Sequence, residues 1–260
     1  MLDERLVTAL HVEALRREEL HAEHEPHVLF QASTIGGLLH GAYDGDATFA
    51  QLAEHGDLGL GTLNGLDGEM IALDGQFYRA GVDGATGEIP PSARTPFAVV
   101  VWFAPQVELS VDSPLSHGEL LTEIDRALPP GTVACALRID GDFGLIRARS
   151  VPRQKPPYRP LGEVISDQYV FDLPDARGTI VGFRFPDYSE GIEVSGYHLH
   201  FISADRTRGG HVLECRPRRA RAQIDPSTDL HVELPPGVDL AAPALSREAH
   251  EALDRVEHLG

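Results

Sequence analysis

The run Ser195-Gly196-Tyr197-His198-Leu199-His200-Phe201-Ile202, with Gly209-Gly210-His211 soon after it, constrains this chain more than any other feature. Side chains alternate faces along a strand, so His198 and His200 share one face while Tyr197, Leu199 and Phe201 share the other. The apolar residues can pack into a core, which leaves the imidazoles facing a cavity. The intervening Ser203-Ala204-Asp205-Arg206-Thr207-Arg208 and the paired glycines suit a reversal. This predicts a β-hairpin with His211 across from the pair. Three neutral imidazoles with an open coordination position are what a catalytic zinc or similar divalent ion uses, whereas closed structural sites usually recruit thiolates. The plainer alternative for each ring is a satisfied core or surface histidine. Their convergence on one predicted hairpin favours the metal. His11, His21 and His24 lie in a charged stretch and read as solvated surface.

A chain of 260 residues, 42% of them hydrophobic, can bury a substantial core as one large or two smaller domains. The net charge of −18 argues against nucleic acid or an anionic membrane as partner, because both reward clustered positive charge. The basic run Arg216-Pro217-Arg218-Arg219-Ala220-Arg221 reads as a solvated face. Cys135 and Cys215 stand far apart, which excludes a zinc ribbon or disulfide framework and leaves two buried thiols as the expectation. The first residues carry acids and no apolar core before a cleavage site, and no run approaches a membrane span. A soluble cytoplasmic protein is expected.

The pattern along the chain predicts an α+β fold. Leu2, Leu6, Leu10, Ala14 and Leu15 suggest an amphipathic helix over residues 2–20, and Asp46 is a candidate cap for a short helix through His55. Asp74-Gly75 between two alternating runs is a strong hairpin signal, and the apolar run over residues 97–103 reads as a strand covered on both faces. Ser116-His117-Gly118-Glu119 matches a capping box opening a helix through Leu128, which Pro129-Pro130 ends. A second hairpin is predicted around Asp140-Gly141. Pro152, Pro156, Pro157 and Pro160 then crowd a segment where a domain boundary is expected, giving residues 1–155 and 156–260. The second part reads as a β-rich domain carrying the metal, with residues 246–259 helical or loosely ordered.

Beyond the histidines, several motifs occur in register between about residue 28 and about residue 215: Gln31-Ala32-Ser33-Thr34, Tyr43-Asp44-Gly45-Asp46, Gly61-Thr62-Leu63-Asn64, Leu66-Asp67-Gly68-Glu69 and Arg177-Gly178-Thr179-Ile180-Val181-Gly182-Phe183. Together with the histidine strand they resemble α-acetolactate decarboxylase. The resemblance implies decarboxylation of 2-acetolactate, an anionic 2-hydroxy-3-oxo acid, to acetoin, with zinc held by His198, His200 and His211. It also implies a homodimer of two-domain α+β subunits with mixed sheets, and a site lined by Glu69 and Arg149. A further family glutamate comes from the C-terminal tail. Among Glu248, Glu251 and Glu257, spacing from the chain end selects Glu257.

Loss of carbon dioxide from such an acid leaves an electron pair that is stable only if the neighbouring ketone becomes an enediolate. A divalent ion can act as Lewis acid where that charge develops, replacing an organic electron sink. No convincing phosphate-cradling loop for thiamine diphosphate or pyridoxal phosphate is present. Arg149 is assigned to the substrate carboxylate or the enediolate, its plain alternative being a solvent-facing residue like Arg147. Glu69 shares a hairpin face with Ile71 and Leu73, which makes it either a strand-end surface residue or a pocket carboxylate for proton transfer. Thr62 is a weaker candidate for a substrate hydrogen bond, against a buried turn hydroxyl. The competing readings are a cupin-like dioxygenase or isomerase, which also uses His-x-His, and a noncatalytic metal- or ligand-binding protein.

Overall fold

In a computed structural model the chain is described over residues 5–6, 10–15, 24–189 and 191–234. Among these residues the larger sheet has eight strands. Their spatial order is β1 (His11–Leu15), β15 (Asp229–Glu233), β2 (Val28–Ala32), β9 (Ala98–Val101), β4 (Leu58–Thr62), β5 (Glu69–Leu73), β6 (Gln76–Ala80) and β7 (Thr86–Glu88). The second sheet has five, in the order β10 (Val107–Val111), β14 (Gly209–Ser227), β11 (Ala134–Ser150), β12 (Tyr169–Phe185) and β13 (Gly196–Ser203). A small ribbon pairs β3 (Ala47–Thr48) with β8 (Arg94–Thr95). The larger sheet is mixed, since β15 runs parallel to both β1 and β2, whereas the second is antiparallel throughout.

Alternation along the strands sorts the core into layers. Leu58, Leu60, Ile71, Leu73, Val99 and Val101 of the larger sheet meet Ala136, Val181, Phe183 and Ile202 of the second between the sheets. The far face of the second sheet packs Leu137, Ile139, Leu199 and Phe201 against Leu120 and Ile124 of the helix His117–Ala127. The far face of the larger sheet packs Met70, Ala72, Ala98 and Val100 around Phe49 and Leu52. Each such fully buried aliphatic side chain contributes about 1.5–3 kcal/mol relative to exposure. The second sheet also curls on itself. β14 pairs with β11 along most of its length, while its first residues reach β13 through the register His200↔His211.

Several expected elements form where the local chemistry placed them. The β5–β6 hairpin turns at Asp74 and Gly75, both with positive φ (54° and 77°). The Ser116 hydroxyl and Glu119 close the capping box, and the helix stops at Leu128. Others differ. Of the stretch over residues 2–20 expected to be helical, residues 5–6 are helical, His11–Leu15 form a strand whose backbone pairs with β15 along the sheet edge, and most of the rest lies outside the described residues. The short helix Phe49–Leu52 is capped by Thr48 with Gln51, not by Asp46. No hairpin forms at Asp140-Gly141, where β11 runs straight through, paired on both sides. A Cβ on Gly141 would lie 2.5 Å from the Arg219 carbonyl, so this glycine serves close strand approach rather than a turn.

The proline-rich segment also has a different part. Strands from both sides of residue 155 enter each sheet: β10 and β11 join β12, β13 and β14, and β15 returns to the larger sheet. The division of strands therefore does not follow the expected boundary. Proline density ends β11, but the chain stays packed. Tyr158 stacks edge-on against Tyr43, and Leu161, Val164 and Ile165 are buried with Ile35, Leu38 and Leu39 over one end of the space between the sheets.

Candidate active site

Strand alternation sends His198, His200 and Ile202 to the inner face of β13, toward the larger sheet, and leaves Leu199 and Phe201 in the helix-side core. β14 brings His211 directly opposite His200. The ring centroids are 5.1 Å apart for His198–His200, 5.2 Å for His198–His211 and 5.3 Å for His200–His211. One ligand atom from each ring lies within 4.8 Å of the others, and all three residues are buried. His200 Nδ1 lies 2.8 Å from the Met70 carbonyl, so Nδ1–H donates to it. That bond fixes the tautomer and turns the Nε2 lone pair inward, where it has no hydrogen-bond partner among the described residues. Burial is the main force on this ring and Arg149 adds to it, against the opposing Met70 bond. Together they push its pKa down to about 3. A neutral, buried imidazole with one preset lone pair suits a divalent cation, and a nitrogen-only donor set fits zinc in an open site.

Glu69 and Arg149 reach the same place from opposite sheets. Glu69 starts β5 on the inner face with Ile71, directly after Gly68, whose φ is +93° and where a Cβ would lie 2.4 Å from the Ala80 carbonyl oxygen, so no side chain fits. Arg149 owes its direction to an irregularity in β11. Leu137 and Ile139 face the helix-side core before it, and Ile146 and Ala148 do so after it, with the register slipping on either side of Phe143. The parity change turns Arg149 inward. Arg147 is exposed and paired with Asp172, whereas Arg149 is 4% exposed.

Arg149 Nη1 donates to Glu69 Oε1 at 3.2 Å, and the other Glu69 oxygen lies 3.7 Å from His200 Nε2. Burial raises the Glu69 pKa above the usual carboxylate range, and Arg149 pulls against that rise. Thr62 faces Glu69 across β4–β5, and its hydroxyl donates to the Gly68 carbonyl at 2.8 Å. Thr62, Glu69, Arg149, His198 and His211 line one pocket whose remaining wall is apolar: Ile35, Leu38, Leu66, Phe97, Leu161 and Ile165. Six of the seven residues expected at the site are thus gathered there, with His200 just behind the lining. Glu257 lies outside the described residues.

Sequence reasoning missed the apolar cap from the proline-rich segment, and it missed Glu193. This carboxylate is 0% exposed and lies 3.6 Å from His198 Nδ1. The available signal was an acid between Ile192 and Val194, just before the histidine strand.

The chain is similar to known proteins in both sequence and fold. The sequence model of the alpha-acetolactate decarboxylase family matches residues 29–246. An alpha-acetolactate decarboxylase from Methylococcus capsulatus is 46% identical over 235 residues, 90% of each chain. One from Klebsiella aerogenes is 48% identical over 193 residues, 74% of each chain. The crystal structure of alpha-acetolactate decarboxylase from Bacillus subtilis superposes with a TM-score of 0.83 at 36% identity, covering 89% of this chain and 99% of that one. With that extent of sequence and fold in common, the chain belongs to the alpha-acetolactate decarboxylase family.

Proposed function

We infer that this chain is a carboxy-lyase that converts 2-acetolactate to acetoin in the pocket between its sheets, with zinc held by His198, His200 and His211. The observation that carries the reading is the meeting of three buried imidazoles with Glu69 and Arg149 in a family member. A bound divalent cation supplies Lewis-acid stabilisation for the negative charge that departing carbon dioxide leaves on the substrate.

The chain's own side chains account for the remaining requirements. Arg149 presents a planar guanidinium fork to an anionic substrate, offsetting the repulsion expected from a protein of net charge −18. The reaction consumes a proton. Glu69, with its pKa lifted by burial, can carry that proton inside the pocket and deliver it to the carbon that loses its carboxylate. Held by Arg149, its carboxyl approaches from a single side, which favours one hand of the product. The apolar wall excludes bulk water and accommodates the methyl groups of the substrate. Thr62 can accept a hydrogen bond from a substrate hydroxyl while its own proton goes to Gly68.

Family membership also supports a homodimer, a cytoplasmic location and a tail carboxylate, Glu257, completing the pocket. No described helix is long and apolar enough to cross a membrane. The test is incubation of the purified protein with racemic 2-acetolactate while acetoin, carbon dioxide and oxygen are followed. Acetoin and carbon dioxide should appear together without oxygen uptake. Oxygen consumption, or metal binding with no acetoin, would contradict the reading.

A further inference from the structure

Glu193 sits where the chain leaves β12 and enters β13, and it has no obvious reason to be charged. It is completely buried, in a stretch whose neighbours Ile192 and Val194 belong to the core. Its Oε1 is 3.6 Å from His198 Nδ1. Its oxygens are not among the donor atoms that gather within 4.8 Å of one another, so it stands beside the imidazole cluster rather than within it.

The surroundings hold this carboxylate in place. The Gln31 side chain on β2 donates through Nε2 to the Ile192 carbonyl at 2.7 Å and to the Ser33 carbonyl at 2.8 Å. The Ile35 amide donates to the same Ile192 carbonyl at 3.0 Å, the Gly36 amide to Gly191 at 3.1 Å, and the Glu193 amide to Ser189 at 3.2 Å. The backbone just before Glu193 is therefore tied to the helix Ile35–Leu39 and to β2, and its own amide closes a local turn. Such anchoring keeps a side chain in one place at little further entropic cost.

His200 shows what an acceptor at Nδ1 does, since its bond to Met70 presets Nε2 as the inward lone pair. Glu193 stands at the same ring position of His198. A metal-bound histidine generally donates its other N–H to a carboxylate or carbonyl, and loss of that partner typically costs 10–100-fold in metal affinity.

We propose that Glu193 is a positioning residue for the metal: it accepts the Nδ1 proton of His198 and so presents Nε2 of that ring to the cation. Gln31 acts one step further out by fixing the Ile192 carbonyl. This rests on the metal-site reading above, and it requires the 3.6 Å separation to shorten to hydrogen-bond range in the loaded protein.

The test is zinc affinity, measured by competition with a chromogenic chelator, for the full-length protein and for Glu193→Gln and Glu193→Leu. Circular dichroism of the metal-free forms checks that each has folded. The glutamine keeps a neutral acceptor and should weaken zinc binding about 10-fold, and the leucine keeps none and should weaken it about 100-fold. The cobalt-substituted proteins should show the same ordering in their absorption spectra. Wild-type affinity in both variants would overturn the proposal. Where the variants fail to fold, histidine-ring nitrogen correlations on the zinc-loaded wild type decide instead. Nδ1–H with Nε2 on the cation is expected for His198, and Nδ1 on the cation would overturn it. A wild-type protein that takes up no zinc would overturn the metal-site reading itself, and Glu193's role with it.

Discussion

Arg149 Nη1 donates to Glu69 Oε1 at 3.2 Å across the interface between the two sheets, with side-chain exposures of 5% and 9%. Removing one member of a buried pair leaves an uncompensated charge, which typically costs about 3–5 kcal/mol, whereas replacing both is far milder. Arg149→Met alone should therefore lower unfolding stability by about that amount. The double variant with Glu69→Gln should recover most of it. Urea unfolding of the single and double variants measures the coupling, and additive losses would show that the two side chains act independently.

Glu69→Gln keeps the shape of the pocket and removes the proton carrier. Turnover should fall by about 10²-fold or more, the usual scale for a positioned acid or base. The acetoin released should also lose enantiomeric purity, as protonation is left to water. Chiral chromatography of the product checks this. Unchanged rate and unchanged purity would remove Glu69 from the chemistry.

The metal-free protein should be acid-sensitive through His200. Burial depresses its folded-state pKa to about 3, below the ordinary 6.5, so between those values the unfolded chain binds a proton that the folded chain does not. Stability is therefore lost as pH falls through that window, by up to about 1.4 kcal/mol per pH unit from this group. Urea midpoints taken at about pH 7 and about pH 5 should drop more for the wild type than for His200→Gln. Equal drops would contradict the assignment.

Gly68 places Glu69, and its backbone cannot accommodate a side chain. Gly68→Ala meets both a φ of +93° and the Ala80 carbonyl at 2.4 Å. A stability loss of about 1–3 kcal/mol and a larger proportional loss of activity should follow. Thermal unfolding with a parallel assay checks it, and a silent substitution would mean the β5 entry tolerates rearrangement.

The histidine hairpin was readable because strand alternation fixes facing locally: once residues 196–203 are a strand, His198 and His200 must share a side. Identical dipeptides elsewhere were not equally readable. Asp74-Gly75 turns with both residues at positive φ, while Asp140-Gly141 stays extended because Gly141 lies against β14 and Asp140 pairs with Arg138 and Thr179. That difference is tertiary. Arg149 turns inward only through the slip in β11, which no period in the sequence announces. Glu193 lies in a loop, where burial is set by contacts such as Gln31 with Ile192 that are remote along the chain. The prolines before Leu161 marked a break in regular structure, but not whether the segment would link or cover.

Metal content set against activity tests the account most directly. Protein purified without added metal should contain stoichiometric divalent cation, lose acetoin formation when a strong chelator removes it, and regain activity with zinc. His198→Ala, His200→Ala and His211→Ala should each take up far less. Full-rate acetoin formation by demonstrably metal-free protein would contradict the account.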